Sequence, residues 1–398
     1  MKILLNTSTF QESSSDPSPT FINNLIKNFD ENYEIFVLYP HKTKILKKKY
    51  IGKNIKLLPY KYIYPLSISD LSVKGLYPSI KKNKLNILKV TLLCISQFLH
   101  LSFYVLKIKP DLIYSHWIFP QAFFSSIIGK IFNVKTVFTS HGSDLKILIN
   151  NKFLGKFILN YTFLNSEKFT FVSSKAIDML TDTPMLKNIK NKYAIIPMGV
   201  EDIFFNEVST SKKDTDSLSL LYFGRFIEYK GIDVLIKSIR KIVDREKIKV
   251  NVELIGEGIN KKNYNEQVNS LGLKKIFSFL PFMNQAELIK RIDNADFVIV
   301  PSKITKSEYE AGPLTLIEAM ARKKICIVSN SIGFSSYLDE SNCVLFESNN
   351  AEDLYEKILF ASKLSGDLSR QIRNNSLKTA KEFKFENISK KVQNYLFT

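Results

Sequence analysis

Short apolar runs recur along the chain, each followed by a stretch whose apolar residues fall three or four apart. KILLN (2–6) comes first and reads as a buried strand, since no small-residue cleavage site follows it as an export signal requires. Helical spacing follows over Ser18–Phe29, then the strand EIFVLY (34–39). Leu85–Leu106 is long and mostly apolar but is interrupted by Asn86, Lys89, Gln97 and His100, which predicts a core-facing helix, with an interfacial helix as the competing reading. PDLIYSH (110–116) ends a strand at His116; a helix over Ala122–Phe132 and the strands TVFTS (136–140) and FTFVS (169–173) follow. Strands alternating with helices predict a parallel sheet with right-handed crossovers.

The pattern then breaks and restarts. NEVSTSKKDTDS (206–217) is polar and without period, the signature of a linker. Beyond it come the strand LSLLYF (218–223), a helix from Gly231, VNVELIG (250–256), a helix from about Asn263 and IFSFL (276–280). A helix from Gln285, DFVIVPS (296–302), a helix over Pro313–Ala321 and KICIVS (324–329) complete the series, with a helical tail beyond about 367. The expected organisation is an N-terminal α/β domain over 1–200, a linker over 201–217, a second α/β domain over 218–380 and a C-terminal helix over 381–398 that packs back on the first domain. Length agrees, since 398 residues exceed one ordinary domain. In open parallel sheets ligands bind beyond the carboxyl ends of the strands.

Charge changes the picture. The net charge of +19 is concentrated in residues 1–200, which hold 27 lysines, no arginine and 11 acids; the rest carries only about +3. Eight lysines and no acid lie between Glu34 and Asp70, among them Lys47, Lys48 and Lys49. An anionic membrane surface fits this better than nucleic acid, because the half lacks the arginines that read guanine. Lysine enrichment of the whole sequence is the bland competitor. Cys94, Cys326 and Cys343 are far apart and the chain has only four histidines, which argues against a disulfide framework or a zinc site. Asp214 and Asp216 form a DxD pair inside the polar linker, away from any strand, and read as a solvated loop.

Two motifs carry chemistry. Gly224-Arg225 and Lys230-Gly231 bracket the turn between a strand and a helix. A glycine turn, two cations and the N–H groups of a helix start suit a diphosphate. The second motif is Glu310-Ala-Gly312-Pro313-Leu314-Thr315-Leu-Ile-Glu318. Pro313 suits a first helical turn, Leu314 and Thr315 offer free amides, and each glutamate is an acceptor suited to paired sugar hydroxyls. His116 and Trp117 end a strand and are candidates for the acceptor side, with core packing as the alternative; His100 lies on the apolar helix and reads as structural.

In order along the chain, PDLIYSHW (110–117), TSHGSD (139–144), PMGV (197–200), the Gly-Arg…Lys-Gly turn, Gly256-Glu257-Gly258 and the E-x7-E segment running into Glu-Ala-Met-Ala resemble the retaining glycosyltransferases of family 4. That resemblance implies a GT-B fold, two Rossmann-like domains whose parallel sheets face each other across a deep cleft. It implies that Arg225 and Lys230 bind the donor diphosphate, that Glu318 holds the ribose hydroxyls and that Glu310 contacts the donor sugar. It implies that Gly224 and the Gly312–Thr315 loop, including Leu314, line the donor, that His141 reaches the donor sugar and that Phe282, within Leu280–Met283, lies at the base. His141, Arg225, Lys230 and Glu310 are thus the candidate catalytic set. Where many relatives carry a Gly-Gly loop, this chain has Glu12-Ser-Ser-Ser15-Asp16-Pro-Ser-Pro-Thr20, which places Ser15 and Thr20 on the acceptor side, with Thr20 as a helix cap.

The implied activity is metal-independent, cofactor-free transfer of a hexose from a nucleotide-diphosphate donor to a glycan or lipid-linked acceptor of cell-surface polysaccharide or lipopolysaccharide, with retention. Domain closure is expected to exclude water. The expected location is cytoplasmic, peripheral on the inner face of the membrane. A non-catalytic partner of a polysaccharide-assembly complex, and another GT-B enzyme such as an epimerase or phosphorylase, are the alternatives.

Overall fold

The computed structural model describes residues 1–11, 19–41, 50–64, 71, 86–151, 153–181, 183–207, 217–305 and 310–398. They form two compact units, Met1–Pro197 with Glu386–Thr398, and Met198–Phe385.

In the first unit, β1 (Lys2–Asn6), α1 (Phe21–Lys27), β2 (Glu34–Pro40), β3 (Tyr50–Ile51) and β4 (Ile55–Tyr60) precede the long α2 (Asn86–Ile108). Then come β5 (Leu112–His116), α3 (Phe123–Phe132), β6 (Lys135–Ser140), α4 (Ser143–Asn150), α5 (Leu154–Asn165) and β7 (Lys168–Phe171). Short α6 (Lys175–Leu180) and α7 (Met185–Ile189) lead to β8 (Tyr193–Ile195). The eight strands are ordered β3-β4-β2-β1-β5-β6-β7-β8. All neighbours are parallel except the short β3, antiparallel to β4. β1, β2, β5 and β6 are buried almost without interruption, as strands covered on both faces must be. On one face Leu4, Phe36, Leu58, Leu101 and Ile113 lie beside the stacked Phe138, Phe163 and Phe169, because Ile113 pairs with Thr136, two positions from Phe138.

The second unit runs β9 (Ser217–Phe223), α8 (Ile232–Arg245), β10 (Lys249–Ile255), α9 (Lys261–Ser270), β11 (Phe277–Leu280) and α10 (Gln285–Asn294). β12 (Phe297–Val300), α11 (Leu314–Ala321), β13 (Ile325–Ser329), β14 (Val344–Phe346), α12 (Ala351–Ser362) and α13 (Gly366–Lys381) follow. Its six strands, ordered β11-β10-β9-β12-β13-β14, are all parallel. The order is that of a doubly wound dinucleotide-type sheet, with its switch point between β9 and β12.

Several expectations need correction. The division falls after Pro197, and the segment expected to be a linker from 201 is anchored to the second unit. There Asp202–Phe205 form a 3-10 turn with Phe204 buried, and Arg322 donates to the Asn206 carbonyl at 2.6 Å. Asp214 and Asp216 lie outside the described residues, as do Lys47, Lys48 and Lys49. The C-terminal helix starts at Phe385, as α14 (Phe385–Leu396), because α13 ends at Lys381. Its segment from Glu386 belongs to the first unit: Ser389 Oγ donates to the Leu25 carbonyl at 2.8 Å, and Phe397 packs edge-on against Phe29. The expected core-facing helix is core-facing along one stripe only. Leu93, Gln97, Leu101 and Val105 of α2 are buried and Val90, Phe98, Tyr104 and Ile108 pack partly on the core, while Ile87, Leu88, Ile95, Leu99, Phe103 and Leu106 are exposed.

Candidate functional site

Gly224 directly follows β9, at the switch point of the second sheet, and Gly256 directly follows the neighbouring β10. Gly256 has φ +150°, and a Cβ there would stand 1.9 Å from the Gly224 carbonyl oxygen, so glycine alone permits the approach. Gly231 has φ +68°, closes the 3-10 turn Glu228–Lys230 and starts α8; a Cβ there would meet the Pro301 carbonyl at 1.8 Å. That contact seats Lys230 against the segment that follows β12. Glu310 arrives from that segment, and the Lys230 ammonium and Glu310 carboxylate form an ion pair with side chains only 13% and 9% exposed. The Gly333 N–H holds the Glu310 carbonyl at 2.9 Å.

Arg225 is exposed. Its guanidinium donates to the Tyr229 hydroxyl at 3.0 Å, and its carbonyl accepts from the Tyr222 hydroxyl at 2.9 Å. Burial and the nearby Glu310 charge hold the Tyr222 phenol well above its ordinary range. Pro313 then opens α11. The Leu316 N–H turns back to the Pro313 carbonyl at 3.0 Å, which leaves the N–H groups of Leu314 and Thr315 without acceptors among the described residues. Gly312 fits against the Phe334 ring, 2.3 Å from where a Cβ would sit. Two such N–H groups at a helix start, four and five positions after the Glu310 that pairs with Lys230, suit an anion.

Glu318 lies on the second turn of α11, half-buried. Desolvation, with the charge of Glu201 as a second cause, pushes its carboxyl up to about 7. Phe282 is separate from this cluster. It follows β11 and is 59% exposed. Backbone contacts link its strand to the site, the Gly256 N–H donating to the Leu280 carbonyl at 2.9 Å.

The first unit gathers a second set at the end of β5 and β6. His116 Nδ1 and His141 Nε2 are hydrogen-bonded at 3.1 Å, and their rings stack at 5.4 Å. Trp117, at φ +71°, packs on His141 at 4.8 Å, and Phe21 from the start of α1 does so at 5.0 Å. This enclosure disfavours imidazolium. Burial lowers His141 to about 3, and burial together with the His141 charge lowers His116 well below its usual value. The Nε2 of His116 is buried without a partner. Asp144 anchors the loop beneath, its carboxylate accepting from the Ile118 N–H at 2.8 Å and the Ser140 hydroxyl at 2.9 Å. Burial raises its pKa, opposed by those two bonds and by the backbone N–H groups of Leu145 and Asp144. Thr20 occupies the N-cap position of α1, but its side chain makes no capping bond, because its backbone is already helical (φ −83°, ψ −11°). Ser15 lies outside the described residues. His100 stacks on Tyr60 at 5.2 Å and bonds within α2, a structural part.

Sequence reasoning missed Glu201, whose charge acts on Glu318, and the tyrosines Tyr222 and Tyr229 that shape the Arg225 turn. It also missed Ser302, fully buried with its hydroxyl unpartnered, in the segment that packs against Gly231. The alternating positions of β9 carry a signal for Tyr222. Nothing local marks Glu201.

The profile of Glycosyl transferases group 1 matches residues 204–379, and that of Glycosyl transferase 4-like matches residues 89–173. An uncharacterized glycosyltransferase of Methanocaldococcus jannaschii is 30% identical over 280 residues, 69% of this chain and 72% of that relative. This chain belongs to the glycosyltransferases. HepE of Anabaena, solved in complex with UDP, superposes with a TM-score of 0.69 at 14% identity, covering 100% of both chains. The lipopolysaccharide outer core galactosyltransferase WaaB superposes with a TM-score of 0.68 at 16% identity, covering 100% of this chain and 99% of that one. The glycosyltransferase described here therefore has the GT-B fold.

Proposed function

We propose that this glycosyltransferase moves a hexose from a nucleoside-diphosphate donor to a glycan or lipid-linked acceptor, with retention of configuration and without a metal. The observation that supports it is the buried Lys230–Glu310 pair, followed within five residues by the Leu314 and Thr315 N–H groups, which have no acceptor among the described residues. A cation and two fixed dipoles there would stabilise charge as it develops on the leaving diphosphate. Arg225, exposed at the turn, adds the second cation. Glu310, released from Lys230 by the phosphates, would accept from sugar hydroxyls, Glu318 from the ribose, and Phe282 would meet the base. His141 is the first unit's candidate for the transferred sugar, with His116 and Trp117 on the acceptor side.

UDP-hexoses are the first donors to test, since HepE has been solved with UDP-glucose and WaaB is named a galactosyltransferase. WaaB's lipopolysaccharide acceptor, together with the lysine excess of residues 1–200, supports synthesis of a cell-surface polysaccharide at the inner face of a membrane. Thermal stability with UDP, GDP, ADP and CMP, compared between the native chain and Glu318→Ala, tests the donor site. Ligand at about 100 times its dissociation constant adds roughly 2.7 kcal/mol. A shift with one nucleotide, lost in the variant, supports the assignment; no shift with any nucleotide overturns it. Turnover with EDTA present tests metal independence.

A further inference from the structure

α2 is inverted for a helix on a water-facing surface. Its buried stripe includes Gln97, fully buried, whose amide donates to Asn6 Oδ1 at 2.9 Å. On the outside, Leu88, Ile95, Leu99, Phe103 and Leu106 are each between 53% and 67% exposed. At about 100° per residue these five share a face roughly 80° wide, directly opposite Leu93, Gln97, Leu101 and Val105. The helix is long and apolar enough to cross a bilayer, yet its buried stripe fixes it along the sheet.

The apolar surface continues onto its neighbours. Phe98 of α2 meets Phe124 of α3 at 5.6 Å, and Phe123 of α3 meets Phe157 of α5 at 6.2 Å. Ile131, Phe153, Leu154 and Phe157 are all more than half exposed. A contiguous exposed apolar surface of this kind marks an interaction face.

Charge decides what covers it. Residues 86–166 contain eight lysines and only two acids, Asp111 and Asp144. Asp144 is buried in its hydrogen bonds, and Asp111 is held by the Lys2 N–H at 2.7 Å. Lys107, Lys109, Lys130 and Lys156 are exposed around the apolar face, Lys107 lying over the Phe103 ring at 5.4 Å. Apolar side chains rimmed by lysines complement an anionic lipid layer: the former enter the acyl boundary and the ammonium groups meet the headgroups.

We propose that the outward face of α2, α3 and α5 inserts into the interfacial layer of an anionic phospholipid bilayer, with α2 lying in the membrane plane. This deepens the membrane reading above by naming the surface, and it is measured without turnover, so either reading can fail alone. The experiment is co-sedimentation of the full chain with vesicles of phosphatidylglycerol and phosphatidylcholine, or of phosphatidylcholine alone. The native chain should pellet with the anionic vesicles. Leu99→Gln with Phe103→Gln should lower partitioning at least tenfold while leaving the thermal midpoint unchanged, because both side chains face out. Lys107→Gln with Lys130→Gln should lower it several-fold at low salt. The proposal is overturned if the native chain stays in the supernatant, or if the leucine–phenylalanine variant binds as well as native. It is equally overturned if the native chain is a dimer that this variant dissolves while neither binds vesicles, for then the face belongs to a second copy.

Discussion

Lys230 and Glu310, eighty positions apart in the chain, close an ion pair that shuts both charges away from water. Removing one partner strands the other. Lys230→Ala should destabilise the second unit by about 3 kcal/mol, since an uncompensated buried carboxylate remains. It should also weaken UDP binding at least tenfold, the loss expected for one charge-assisted bond to phosphate of about 1.5–3 kcal/mol. Adding Glu310→Gln should restore most of the stability and none of the affinity. Scanning calorimetry and UDP titration separate these effects; native-like affinity in Lys230→Ala would remove the lysine from the diphosphate site.

Glu318 makes a pH prediction with a definite sign. Its ordinary value is 4.5 and the fold raises it to about 7, so the folded state holds its proton more tightly than the unfolded chain. Ionising it therefore costs stability progressively as pH rises from about 4.5 to 7, and the full cost, about 3 kcal/mol, is present above 7. Glu318→Gln should raise the thermal midpoint at pH 8 and leave it unchanged at pH 4. Ribose hydroxyls want the ionised acceptor, so nucleotide affinity of the native protein should increase between pH 6 and 8. The glutamine variant should bind weakly and show no such slope.

Arg322 is the structural counterpart of these site residues. It is 2% exposed, pairs with Asp293 and donates to the carbonyls of Asn206 and Glu207, tying the start of the second unit to the end of α11. Arg322→Ala should cost about 3–5 kcal/mol, and Arg322→Lys should recover little, because a point charge cannot reproduce the planar fork. Nucleotide binding measured well below the melting temperature should be nearly intact. A variant that melts like the native protein would refute this role.

What was legible in the sequence was local. Runs such as DFVIV and KICIV bury on both faces, and each became a strand within a residue or two of its predicted ends. The turn that carries Gly224, Arg225 and Lys230 and the helix start between Glu310 and Glu318 were legible because such local structure is written in consecutive residues. β4 was missed because IKLLPY sits within the lysine-rich stretch, where charge masks the apolar run. α2 was legible in part: its buried stripe of Leu93, Gln97, Leu101 and Val105 faces the core as expected, but apolar periodicity did not show that Leu88, Ile95, Leu99, Phe103 and Leu106 would be exposed. Long-range pairs were the least legible. Nothing near Glu318 announces Glu201, and the histidines of the first unit gave no sign that they would bond to each other.

That pair yields the last prediction. With His141 lowered to about 3, its imidazole is neutral throughout the working range, and activity should show no titration near 6.5. Its role would be that of an uncharged hydrogen-bonding group, oriented through His116 Nδ1. His141→Ala should then lower kcat by about 100-fold, the scale of one preorganised hydrogen-bond donor, while UDP affinity, carried by the second unit's residues, stays within twofold. His116→Phe keeps the stacked ring and removes the orienting nitrogen; it should lower kcat about tenfold with little change in KM. A kinetic pKa between 6 and 7 that vanishes in His141→Ala would show that this imidazole is charged during turnover and would overturn the assignment.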